Sequence, residues 1–72
     1  MTPQPTSIEQ FGDIVKAQRK HRGWSQDQLA EAADLSRPTV ARIESGSAVS
    51  TATLAKIAAA LNIEINLEVT SG

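Results

Sequence analysis

Apolar and polar residues follow two different rhythms along this chain. From Ile8 to Leu61 the apolar positions recur mostly at intervals of three and four. By contrast, Ile63-Glu64-Ile65-Asn66-Leu67-Glu68-Val69 alternates at every second position. The first rhythm puts side chains on one face of an α-helix and the second on one face of a β-strand. The pattern therefore predicts a set of helices followed by a single strand.

A first helix is expected to open at Thr6 or Ser7, either of which can cap it, with Glu9 or Gln10 as the reciprocal member of a capping box. Ile8, Phe11, Ile14, Val15 and Ala17 make its apolar series. A basic last turn (Arg19, Lys20, Arg22) leads to a stop at Gly23 and suits the negative end of a helix dipole. Ser25 caps a second helix with Gln28 at the capping-box position, Leu29, Ala30 and Ala33 face inward, and the pattern breaks at Asp34. Ser36 or Arg37 caps a third helix with Pro38 in its first turn, where a missing N–H costs nothing. Proline also disfavours helical angles at the preceding residue, which favours a start at Pro38 itself. Val40, Ile43 and, at the margin, Ala41 face inward before Gly46 ends the helix. In the fourth, Leu54, Ile57, Ala58 and Leu61 share a face and Asn62 closes it. Trp24 reads as a core residue and His21 as a surface one. Residues 1–5, polar and proline-bearing, read as a disordered tail.

The lone strand needs a ladder partner, because its unpaired backbone groups and apolar edge are a liability in water. Composition narrows the choice. A chain of 72 residues is one small domain, of a size at which a single core is marginal without disulfides, metal or oligomerisation. There is no cysteine and only one histidine, so oligomerisation is the remedy left. Two copies of residues 63–69 pairing antiparallel would turn Ile63, Ile65, Leu67 and Val69 onto the helices, and each fully buried side chain contributes roughly 1.5–3 kcal/mol.

No leader segment is recognisable, and no apolar run approaches the roughly 18 residues a membrane span needs; the expected location is the cytoplasm, with no membrane partner. A net charge of −1 does not mark a generic polyanion binder. Lys16, Arg19, Lys20 and Arg22 cluster in one stretch and Arg37 and Arg42 in another, so nucleic-acid binding has to be argued from geometry. An enzyme is not expected: there is no histidine–carboxylate pair, no glycine-rich phosphate loop, no metal-ligand spacing and no implied cofactor.

Two short helices separated by a tight turn are the helix-turn-helix arrangement, whose second helix can enter a DNA major groove. The stretch "GWSQDQLAEAADLSRPTVARIESG" resembles that motif in the Cro and phage-repressor family, the xenobiotic-response-element-type regulators. Gln26, Leu29-Ala30, Ala33, Ser36, Val40, Ile43-Glu44 and Gly46 carry the resemblance, which extends over about residues 8–62. Asp34 stands where that family usually has glycine, and Pro38 is unusual in the recognition helix.

The resemblance implies an all-α, four-helix repressor-like domain at residues 6–62; residues 63–70, beyond it, remain the dimerisation strand that the alternating pattern predicts. The resemblance also implies roles. Ser25 and Gln26, at the start of helix two, would contact phosphate, which a helix N-terminus attracts. Ser36, Arg37, Pro38, Thr39 and Arg42 would form the reading face: arginine reads guanine, and Thr39 or Pro38 meets a thymine methyl. Ser47 to Thr51 would touch the backbone again. Arg19 and Glu44 would form a structural ion pair, while Lys16, Lys20 and Arg22 read as solvated charges.

Helices followed directly by a strand also resemble the HipB-type antitoxins of kinase toxin–antitoxin pairs. That likeness implies a homodimer that represses its own operon on a double-stranded, inverted-repeat operator and binds a HipA-like kinase toxin. A phage-type or restriction-control repressor without a protein partner, and an interaction module that has lost DNA binding, are the alternatives.

Overall fold

The computed structural model describes residues 8–63, which form four helices and, among the described residues, no strand. They are α1 (Ile8–His21), α2 (Gln26–Ala33), α3 (Arg37–Glu44) and α4 (Thr51–Leu61). The tail at residues 1–5, the α1 cap expected at Thr6 or Ser7, and the strand residues Ile65, Leu67 and Val69 lie outside the described residues.

Local sequence sets the ends of these helices. Ser25, Ser36 and Ser50 cap α2, α3 and α4, each hydroxyl accepting the backbone N–H three residues on. At α2 the box is complete, since the Gln28 side chain accepts the Ser25 N–H at 2.8 Å. Every described helix then ends on a left-handed residue: Gly23 at φ 71°, Asp34 at 56°, Gly46 at 83° and Asn62 at 55°. In each case the next N–H reaches back over the last turn, Trp24 to the Arg19 carbonyl, Leu35 to Ala30, Ser47 to Arg42 and Ile63 to Ala58.

α1 and α2 each pack against both α3 and α4. Phe11 and Val15 from α1 join Leu29, Val40, Ile43, Leu54, Ile57, Leu61 and three alanines in one buried cluster. Where α1 crosses α3, Gly12 is buried and a methyl group there would collide with the Ile43 carbonyl oxygen. Glycine is what lets the two backbones approach.

Three expectations change. Ile14 is 38 % exposed and Ala17 is also at the surface. The buried stripe of α1 centres on Val15, and Ile14 is rotated about 100° away from it. Trp24 is only partly buried, against the core rather than in it. α3 begins at Arg37, with Ser36 as cap and Pro38 second: the Ser36 hydroxyl holding the Thr39 N–H outweighs the bias that proline places on its predecessor. Ile63, expected to turn onto the helices, is half-buried against the core, and its N–H closes α4.

Among the described residues no helix is long and apolar enough to cross a membrane.

Candidate nucleic-acid interface

α3 presents a polar face opposite its buried Val40 and Ile43. Arg37, Pro38 and Arg42 are exposed on it, and Thr39 is half-buried at its flank. Ser36 is spent locally, accepting from the Thr39 N–H and sharing a 2.8 Å hydrogen bond with the Thr39 hydroxyl. That bond settles the first turn and so fixes where Arg37 leaves the helix. A cation at a helix N-terminus meets an unfavourable dipole, and an acid compensates: Asp27 of α2 lies 3.9 Å from the Arg37 Nε, with side chains 74 % and 65 % exposed. At that exposure the pair is loose and contributes little to stability.

Beside Arg42 runs an open groove of about 330 Å³, lined by Thr39, Arg42, Ala48, Val49, Ser50 and Thr53. It joins the reading face of α3 to the N-terminus of α4, where Ser50 caps and Thr51 opens the helix. Ser47 is half-buried next to it, its hydroxyl 3.1 Å from that of Ser45. The structure thus brings Thr39 and Arg42 together with the loop that carries Ser47 and leads to Thr51.

Behind the face stands a polar network that ties three helices. Arg19 donates from Nε to Glu44 Oε2 at 2.7 Å and from Nη2 to Oε1 at 3.1 Å. Its Nη1 reaches the Trp24 carbonyl at 2.8 Å. The side chains are 11 % and 4 % exposed, and the bidentate geometry is the strong form of this pair. Hydrogen bonding to Glu44 raises the Arg19 pKa above its ordinary value, against the lowering effect of burial; the guanidinium stays charged. Gln26, the first residue of α2, adds its Nε2 to Glu44 Oε1 at 3.3 Å. Ser25 beside it is exposed, and its hydroxyl accepts from Gln28 N at 3.1 Å.

Arg22 is exposed, as a solvated charge should be, but it is also engaged. Its Nη2 donates to the Leu61 carbonyl at 2.7 Å, and its guanidinium lies 5.5 Å from the Trp24 ring centroid. A cation on the last carbonyls of α4 suits that helix end. Nothing in the sequence says that the ends of α1 and α4 meet, so composition alone gave no signal for this contact. Asp27 was missed for a similar reason, since its partner lies on the next helix. Lys16, Lys20 and His21 are exposed.

Comparison with known proteins agrees with this geometry. The helix-turn-helix family HTH_3 matches residues 15–67. The restriction-modification controller protein C.AhdI from Aeromonas hydrophila is 36 % identical, with 79 % of this chain and 88 % of that one covered at a TM-score of 0.71. An HTH_3 family transcriptional regulator from Vibrio cholerae is also 36 % identical at a TM-score of 0.70, covering 79 % of this chain but 33 % of that longer one. A chain of the HipA-HipB-O2-O3 complex is alike in fold, at a TM-score of 0.76 over 97 % of this chain and 100 % of that one, with 24 % identity. No curated protein matched.

Proposed function

The chain belongs to the HTH_3 helix-turn-helix family, and from that membership we propose that it is a sequence-specific DNA-binding repressor acting as a homodimer on an inverted-repeat operator. The fold is that of transcriptional regulators rather than enzymes. The observation that carries the proposal is the outward face of α3, where Arg37 and Arg42 stand free of the core between the capped starts of α2 and α4. Arg37 and Arg42 read base edges, with Thr39 or Pro38 against a thymine methyl. Ser25, Gln26, Ser47 and Thr51 meet phosphates on either side. A single reading helix gives little specificity, and a two-fold dimer doubles it over two half-sites.

Selection of duplexes from a random pool tests this directly. An inverted repeat should be enriched; no enrichment would overturn the DNA reading in favour of an interaction module. Against the selected duplex, Arg37→Ala should relax base preference at one symmetric position, and Gln26→Ala should weaken binding to all sequences alike. Uniform loss from both would put the reading face elsewhere.

Within this function the antitoxin role is our preferred finer reading: the dimer represses its own operon and binds a HipA-like kinase. Its support is the alternating segment after α4, together with a likeness in fold to one chain of the HipA-HipB-O2-O3 complex. A restriction-control repressor is the second reading, favoured by the 36 % identity to C.AhdI. Co-expression with the products of neighbouring genes separates them. Stable capture of a kinase-like neighbour supports the antitoxin, and a methylase or endonuclease gene beside an operator it controls supports the controller.

A further inference from the structure

Glu44 ends α3 with its side chain 4 % exposed, yet its carboxylate serves two other helices. Oε2 accepts from Arg19 Nε, while Oε1 accepts from both Arg19 Nη2 and Gln26 Nε2. A carboxylate only accepts, so the Gln26 amide must turn its NH2 group toward it. Nε2 carries two hydrogens, and one N–H therefore remains on an amide held by a 3.3 Å hydrogen bond. Gln26 is also the first residue of α2, where backbone N–H groups lack intrahelical acceptors and favour an anion.

We propose that Glu44 is a positioning residue for phosphate binding. It fixes the Gln26 amide so that the remaining N–H joins the Gln26 and Asp27 backbone N–H groups, which the Ser25 cap does not use, around one phosphate of a DNA backbone. Arg19 has a part as well. By pairing with Glu44 it cancels that carboxylate's charge, which leaves Asp27, loosely paired with Arg37 at 3.9 Å, as the acid of that first turn. The inference rests on the DNA-binding reading and deepens it, giving a role in affinity to an ion pair that never touches the nucleic acid.

The sign of one substitution separates positioning from simple electrostatics. Glu44→Gln preserves shape and removes a negative charge. Were Glu44 only a nearby charge, its neutralisation would tighten binding to a polyanion. As a positioning residue, its loss frees the Gln26 amide and weakens binding by about tenfold, the scale of one hydrogen bond to a charged group. In a Gln26→Ala background the same substitution should then change affinity little further. Tighter binding, or an equal loss with and without Gln26, overturns the proposal.

A second measurement uses the unaltered chain and does not depend on a variant folding. By NMR, one Gln26 side-chain amide proton should stay protected and unmoved when the selected duplex is added, while the other shifts. Movement of both protons together means that the amide has left Glu44, and overturns the proposal. If the unaltered chain binds no duplex, the DNA reading falls and takes this inference with it. If it binds and Glu44→Gln tightens it, the positioning role alone falls.

Discussion

Asp34 holds the turn between α2 and α3 at φ 56°, ψ 48°, a region that costs most L residues about 1–2 kcal/mol. Its ion pair to Lys56, at 3.9 Å, is wholly exposed on the Asp34 side and half-exposed on the other, and does not decide the balance. Asp34→Gly should therefore stabilise the fold by about 0.5–1 kcal/mol, and Asp34→Ala should destabilise it by about 1 kcal/mol. Urea unfolding of both variants checks this, and the same sign for both would show that the turn is not the controlling term. Gly12 gives the opposite lesson. On helix propensity alone Gly12→Ala gains about 1 kcal/mol, but its methyl meets the Ile43 carbonyl oxygen. Overpacking of that kind costs about 1–3 kcal/mol, so the variant should come out less stable in the same assay. The strain at Asp34 was legible because it follows from the break between two helical patterns. The requirement at Gly12 was not, because close approach belongs to a pair of helices and leaves no mark on either one.

Helix ends were legible for the same reason that Asp34 was: a cap is a bargain struck within four residues. Ser25, Gly23, Gly46 and Asn62 stand where a local reading puts them. The start of α3 is instructive, because two local preferences competed there. The Ser36 hydroxyl won over the bias at Arg37, and the helix gained a residue. Burial on α1 was less legible. Its apolar series is too broad for the stripe that α3 and α4 cover, and only the packing says that Val15 is central and Ile14 peripheral. Among the proposed contact residues, sequence could place Arg37 and Arg42 on one face but could not supply Asp27 or the groove beside α4. At this scale Ser36→Ala and Ser50→Ala should each lower stability by about 1 kcal/mol, as read from thermal melts followed by circular dichroism. Only Ser36→Ala should also cost discrimination between operators, since its cap sets the root of Arg37. Equal effects on discrimination from both would place the reading turn at α4.

For the whole molecule, the question is whether the described domain suffices alone. Its core is continuous through all four helices, and Ile63 finishes it by packing on the cluster and closing α4. A chain ending at Ile63 should therefore stay helical and folded. Lacking residues 64–72, it should sediment as a monomer and bind operator weakly. A truncated chain that remains fully dimeric in analytical ultracentrifugation would sink the strand-pairing proposal. The clasp of Arg22 has a practical consequence here. Trp24 is the only tryptophan and there is no tyrosine, so the fluorescence of the chain reports from one indole beneath one guanidinium. That indole sits where α1 ends, α2 begins and Arg22 grips the last carbonyl of α4. Its emission is thus a built-in optical gauge of whether the exit of α4 is held. A red shift that precedes the loss of helical signal would reveal the clasp opening before the domain melts.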